Sequence, residues 1–229
     1  MMAVSVEGIP PSSTKSISPN MAPKKIHPEN NHNHEWKMYW AAAGTEHDQN
    51  GPSEALRELL EDHRWLLPRG RCLVAGCGRG YDALYLASRG LTCVAIDCCE
   101  PAIAQAQKLL DTNTETVSGK LTLVVQDIFT FKPTLRFTVA YEYGLFSAIH
   151  PSQRQQWAEA YARLIVPQGS LIVLLCPLTR RSQAPPYQVT MAECESVLKR
   201  YFVLVRVDSN CRCVEGQEGN ELMSVWKRL

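Results

Sequence analysis

Three places in this 229-residue chain carry residue types and spacing suited to holding a polar ligand: the run Ala75-Gly76-Cys77-Gly78-Arg79-Gly80, Asp97 and Asp127. Glycines tolerate positive φ and let a backbone pass close to a ligand. Asp97 follows Gly80 by 17 residues, where an acid accepts hydrogen bonds from both hydroxyls of a ribose. Asp127 is placed to receive an adenine amino group. The dinucleotide fingerprint asks for a third glycine three residues after the second, and Tyr81 stands there. A pyrophosphate loop is therefore disfavoured, and a nucleoside cofactor without phosphates is expected. Taken singly, these glycines and acids are ordinary turn residues; the spacing of all of them together makes the signal.

The elements that must position these residues alternate regularly. Trp36, Tyr39, Trp40 and Ala43 fall at i, i+3, i+4 and i+7, the spacing of a helical face starting near Glu35 and ending at Gly44. Ser53 caps a second helix, Glu54 to His63. Strands are expected at Cys72–Ala75, Thr92–Ile96, Leu121–Val125, Phe137–Tyr141, Leu171–Cys176, Phe202–Val207 and Glu221–Lys227. Helices are expected at Tyr81–Arg89, Pro101–Leu110, Gln153–Leu164 and Ala192–Arg200. Near-continuous Val/Ile/Leu runs between helices indicate a mostly parallel sheet buried on both faces. The last two strands, with no helix between them, suggest an antiparallel hairpin. The expected organisation is a tail over residues 1–34 followed by one α/β domain over 35–229, of which 35–64 form a helical lid.

Composition narrows the partners. Lys plus Arg is 24 against 23 for Asp plus Glu, which argues against a surface built to neutralise nucleic-acid phosphates. The longest apolar run, Leu171–Cys176, falls far short of the roughly 20 residues of a membrane span. The first thirty residues show no apolar core of a signal peptide. No membrane partner and a cytoplasmic location are expected. The terminal Lys227-Arg228-Leu229 only loosely matches a peroxisomal address, with its first residue wrong. Of nine cysteines, Cys72, Cys93 and Cys176 lie in strand-like runs, Cys98-Cys99 are adjacent, and Cys211-x-Cys213 lacks knuckle spacing. Reduced structural thiols are expected, with no metal; the His32 and His34 of the NHNH tract lack accompanying ligands.

Beyond the glycine turn the sequence resembles a class I S-adenosylmethionine-dependent methyltransferase, and more narrowly the thiopurine/thiol methyltransferase superfamily. The resemblance covers about residues 36 to 228. It is carried by Tyr141-Glu142-Tyr143-Gly144-Leu145-Phe146-Ser147-Ala148-Ile149-His150-Pro151, continuing through Arg154 and Trp157. It is carried also by Cys176-Pro177-Leu178 with the later Pro186-Tyr187, and by Trp36, Trp40 and Asp48 of an upstream tryptophan segment. His47 stands at that segment's third tryptophan, Glu142 at the usual aspartate and Ser147 where cysteine is common.

The resemblance implies a Rossmann-like fold with a seven-stranded sheet and helices on both faces. It also implies S-adenosylmethionine as cofactor. Trp36, Trp40 and the His47 position would form a lid, with His47 either a polar contact or a filler of a tryptophan's space. Gly76 and Gly78 would pass the methionine end, Asp97 would hold the ribose, and Asp127 with the backbone of Ile128 the adenine. Tyr143 would lie near the transferring methyl. Phe146 and Trp157 would shape the acceptor pocket, unless Trp157 is helix core. Arg154 would attract an anionic acceptor, unless it faces solvent.

Methyl transfer demands in-line positioning more than acid–base chemistry. A thiolate arrives deprotonated, whereas an oxygen or nitrogen acceptor would ask for a base, for which Glu142 and His47 are the local candidates. The expected partner is thus a small-molecule acceptor with a soft nucleophile, handled by a monomer. The alternatives are an O- or N-methyltransferase of a specialised metabolite, or a methyltransferase fold repurposed for binding or non-methylating chemistry.

Overall fold

The computed structural model describes residues 31–42, 50–62, 65–113, 120–179 and 185–229, with side chains from Glu35 onward. Most of the expected tail (1–30), together with Gly44, His47 and Asp48, lies outside the described residues.

Seven strands form one sheet: β1 (Arg71–Ala75), β2 (Thr92–Asp97), β3 (Leu121–Val125), β4 (Phe137–Tyr143), β5 (Ile165–Leu175), β6 (Phe202–Asp208) and β7 (Leu222–Arg228). Their order is β3-β2-β1-β4-β5-β7-β6. β1 to β5 pair in parallel, and β7 runs antiparallel to both β5 and β6. The mostly parallel sheet with a terminal antiparallel hairpin is as expected. Chain order reverses beside β1, so the carboxyl ends of β1, β2 and β4 open a crevice there.

Each face of the sheet buries its own layer because strand side chains alternate. Leu73, Ile96, Ala140 and Val173 face α6 (Arg154–Leu164) and α7 (Met191–Leu198). Cys72, Val74, Ala95, Tyr141 and Ile172 face α2 (Glu54–Glu61) and α3 (Tyr81–Ser88). Helix α4 (Glu100–Thr112) follows β2, and the four-residue helix α5 (Leu145–Ala148) follows β4. Among the described residues no helix is long and apolar enough to cross a membrane.

Several boundaries differ from expectation. Helix α1 (Asn31–Ala41) starts ahead of Glu35, so His32 and His34 belong to the helix backbone and do not close a tail. Strand β5 begins at Ile165, ahead of Leu171, because Ile165 pairs with Phe137 before a register shift re-pairs Ser170 with Val139. Local turn residues there, Pro167-Gln168-Gly169, are overridden by the sheet.

Ser53 binds the first helical layer to the sheet. Its hydroxyl accepts from Leu56 N–H at 3.1 Å, capping α2, and from the buried Tyr141 hydroxyl of β4 at 3.0 Å. Ser53→Ala removes the cap and leaves a buried phenol without its acceptor. It is expected to lower unfolding free energy by about 1–3 kcal/mol. Urea unfolding measures this; an unchanged midpoint would show that the cap and the Tyr141 contact contribute nothing.

Candidate active site

The glycine turn after β1 is held by the acid that ends β2. Gly76 and Gly78 sit at φ 66° and 51°, in the left-handed region. Gly78 N–H donates to Asp97 Oδ2 at 3.1 Å, and Cys99 N–H donates to Asp97 Oδ1 at 2.9 Å. One carboxylate therefore pins both the β1–α3 and the β2–α4 turns. Burial pushes Asp97 above the ordinary carboxylate pKa, against the opposing pull of the Cys99 and Gly78 N–H groups. The Cys99 thiol and the Cys98 N–H pull on the carboxylate in the same sense, and Asp97 lines the cavity beside them.

A cavity of about 490 Å³ lies over these strand ends, lined by Gly76, Gly78, Asp97, Asp127, Ile128 and Tyr143 among others. That size suits a nucleoside and a small second molecule. Helix α1 roofs it. Trp36 Nε1 donates to Ala148 O at 3.2 Å, and Gln105 Nε2 donates to Trp40 O at 3.2 Å. The Trp40 ring lies so close to the turn that a Cβ on Gly78 would come within 2.9 Å of it. Tyr39 stands edge-on to both tryptophans and also lines the cavity.

The wall across from the turn is polar. The Tyr143 hydroxyl donates to Glu221 Oε1 at 2.6 Å. Asp82, second residue of α3, accepts from Ser53 N–H at 2.8 Å. Burial raises Asp82 to about 7, opposed by the Ser53 N–H and reinforced by the charge of Glu221. Burial raises the nearby Cys176 thiol to about 12.

The structure brings Trp36, Trp40, Gly76, Gly78, Asp97, Asp127, Ile128 and Tyr143 to one cavity. Four other expected contacts lie elsewhere. Glu142 is fully buried on the opposite face of β4, where its Oε1 accepts Phe146 N–H at 2.7 Å. It caps the start of α5 and does not pair with Arg154. Arg154 is neither in the cavity nor in solvent. It is buried, with Nη1 donating to Glu193 Oε1 at 2.9 Å, Nη2 to Gln188 O at 3.1 Å, and its guanidinium over the Phe146 ring. Phe146 and Trp157 pack on each other at 4.7 Å between centroids, inside the core, and line no part of the cavity. His47 lies outside the described residues.

Strand periodicity was the available signal for Glu142: if Tyr141 and Tyr143 face the cavity, the residue between them faces away. Asp82 and Cys98 line the cavity, and Glu221 is joined to it through the Tyr143 hydroxyl; the sequence reading left all three out. Asp82 lies in the first turn of α3 and Glu221 directly precedes β7, and spacing alone brings neither to the crevice.

The residues present fit a nucleoside sulfonium cofactor. The turn at Gly76 and Gly78 is a cradle that side chains would fill, since Cβ atoms there would meet Leu145 at 3.3 Å and Trp40 at 2.9 Å. Asp97 supplies an acceptor pair for vicinal hydroxyls, and Asp82, Asp97 and Asp127 together give the cavity carboxyl groups that favour a cation.

Comparison with known proteins agrees with this geometry. The family described as thiopurine S-methyltransferase matches residues 31–225. The chain is 32% identical to the probable thiol methyltransferase 2 of Arabidopsis thaliana, covering 84% of each. It is 31% identical to thiocyanate methyltransferase 1 of Brassica oleracea, covering 95% of each. Among solved structures, the magnesium protoporphyrin IX methyltransferase of Synechocystis PCC 6803 with bound S-adenosylmethionine shares the fold. It has a TM-score of 0.59 at 15% identity, covering 92% of this chain and 86% of that one.

Burial raises Glu142 to about 8, opposed by the Phe146 and Leu145 N–H groups. The unfolded chain ionises a glutamate near pH 4.3, so between that value and about 8 only the folded state keeps the proton. Its contribution to stability is complete below the lower value and falls as pH rises through the higher one. Glu142→Gln removes this titration. The melting temperature of the parent should therefore fall relative to Glu142→Gln between pH 5 and 8, and parallel curves would contradict the buried acid.

Proposed function

The chain belongs to the thiopurine S-methyltransferase family, and from that premise we propose that it transfers a methyl group from S-adenosylmethionine to a small thiol or other soft nucleophile. The observation that carries this reading is the cavity over the glycine turn, with Asp97 bonded to Gly78 and Cys99 and lining it. Similarity to enzymes named for thiols and thiocyanate supports a sulfur acceptor.

In this reading Asp97 holds the ribose, Asp127 and the Ile128 backbone hold the adenine, and the turn at Gly76 and Gly78 passes the amino-acid end. S-adenosylmethionine, when bound, supplies an electrophilic methyl on a sulfonium. The chain's own task is then positioning: collinear reacting atoms about 3–3.5 Å apart account for most of the rate gain. Tyr143 projects from the end of β4 into the cavity, beside Cys176 and Pro177, and shapes the acceptor's side. Helix α1 acts as a lid through Trp36 and Trp40 and excludes water. A thiolate needs no base, which agrees with the placement of Glu142 behind the strand and of Arg154 in an internal ion pair.

We place residues 1–30 outside the catalytic unit. The nine free cysteines support a reducing compartment, the cytosol. We propose a monomer acting on a small molecule and not on nucleic acid, the near balance of 24 basic and 23 acidic residues supporting the last point.

A second reading rests on one contact. The Tyr143–Glu221 hydrogen bond at 2.6 Å offers a route by which an acceptor's proton moves to Tyr143 oxygen as the Tyr143 proton moves to Glu221. That arrangement suits a hydroxyl, an amine or a thiol that binds neutral.

Methyl-labelled cofactor offered to panels of small thiols, phenols and amines separates the readings. S-methylation of at least one thiol is expected, and labelling confined to oxygen or nitrogen would overturn the sulfur reading. Glu221→Gln should cost less than about tenfold with thiols of low pKa. A loss of 10²–10⁴-fold across all acceptors would promote the second reading. Asp97→Ala should weaken S-adenosylhomocysteine binding by roughly 10- to 100-fold, the loss of charged hydrogen bonds worth on the order of 1.5–3 kcal/mol. Unchanged calorimetric affinity in a folded variant would remove Asp97 from the ribose.

A further inference from the structure

Beside the turn, the end of β2 carries three metal-ligating side chains in succession. Cys98 Sγ and Cys99 Sγ lie 3.8 Å apart. One donor atom each from Asp97, Cys98 and Cys99 falls within 4.8 Å of the others. All three residues line the cavity. Zinc–thiolate bonds of about 2.3 Å at a tetrahedral angle separate the two sulfurs by about 3.8 Å, so the two thiols already stand at the bite of one cation. Adjacent cysteines seldom achieve this by sequence alone. Here the Asp97 carboxylate accepting Cys99 N–H fixes the turn that brings the sulfurs together.

We propose that Asp97, Cys98 and Cys99 bind a thiophilic divalent cation of the zinc and cadmium class, and that the bound cation and a nucleoside on Asp97 exclude each other. Both thiol protons leave to solvent as two metal–sulfur bonds form, and an Asp97 oxygen supplies the third ligand. Two thiolates and a carboxylate around a dication carry the same net charge as two thiols and one carboxylate, so the site gains no charge, and no electron is transferred. A fourth position remains toward the cavity. Among the described residues these three are the grouping of metal-ligating side chains close enough to share one ion. The binding stands on geometry alone; the exclusion rests on the reading of Asp97 as the ribose acceptor.

The test titrates the full chain, kept reduced with a phosphine, with Cd²⁺ while following the ultraviolet thiolate-to-cadmium band and proton release. One cadmium per chain, two protons released and a two-thiolate band are expected. The band should fall by half or more in Cys98→Ala and in Cys98→Ser, each checked for folding by circular dichroism. Saturating S-adenosylhomocysteine should raise the apparent Kd for cadmium at least tenfold. An undiminished band in both Cys98 variants would place the cation elsewhere and overturn the site. S-adenosylhomocysteine that binds by calorimetry yet leaves cadmium affinity unchanged would overturn the exclusion. Failure of S-adenosylhomocysteine to bind at all, with a Cys98-dependent band intact, would defeat the proposed function and leave the metal site standing.

Discussion

The hydrogen bonds that Asp97 accepts from Gly78 and Cys99 fix the geometry on which the site depends. A buried carboxylate at a strand end is costly unless its acceptor positions are filled, and the Gly78 and Cys99 N–H groups fill two of them. The same two bonds set the path of both turns that follow the central strands. The glycine turn then leaves a space that Trp40 closes from above, and α4 starts where Cys99 points its N–H back at the acid. The demand for satisfied polar groups thus builds the crevice, and the carboxylate that lines it is suited to a ligand with vicinal hydroxyls.

A division of labour between the two faces of β4 follows from strand geometry. Tyr141 and Tyr143 look toward the crevice and end in hydrogen bonds to Ser53 and Glu221. Glu142 looks the other way and serves α5. Beyond it, Phe146, Trp157 and Tyr161 stack in a buried aromatic row, with Arg154 over Phe146 and tied to Glu193 and Gln188. These residues give the sequence its most distinctive stretch, and they pack behind the segment that carries Tyr143 and Ser147 to the cavity. Sequence identity at such positions reports how the crevice is framed, not what enters it.

Much of the framework was legible because strand–helix alternation and apolar runs are local signals. Leu121–Val125, the end of β1 and the starts of β2, β4 and β6 fell where those signals put them, and the glycine turn with its acids fell at the strand ends. The early start of β5 was not legible, because pairing of Ile165 with Phe137 is a long-range gain that overrides Pro167 and Gly169. Arg154 and Trp157 misled because on a helix a residue's side of the wall is set by packing across the sheet. Trp157, Tyr161 and Leu164 recur at helical spacing, and that apolar stripe marks the core side of α6 on which Arg154 also lies. Glu221 and Asp82 became visible only when the sheet brought residues from distant parts of the chain together.

In the proposed reaction the nucleoside sits in the crevice anchored by Asp97. A crystal structure of the chain with S-adenosylhomocysteine tests it most directly. Both ribose hydroxyls are expected within hydrogen-bond distance of Asp97, the adenine between Cys98 and Ile128 with its amino group toward Asp127, and the sulfur facing Tyr143. A nucleoside bound away from Asp97, or in the crevice with its ribose turned toward Tyr143, would contradict it.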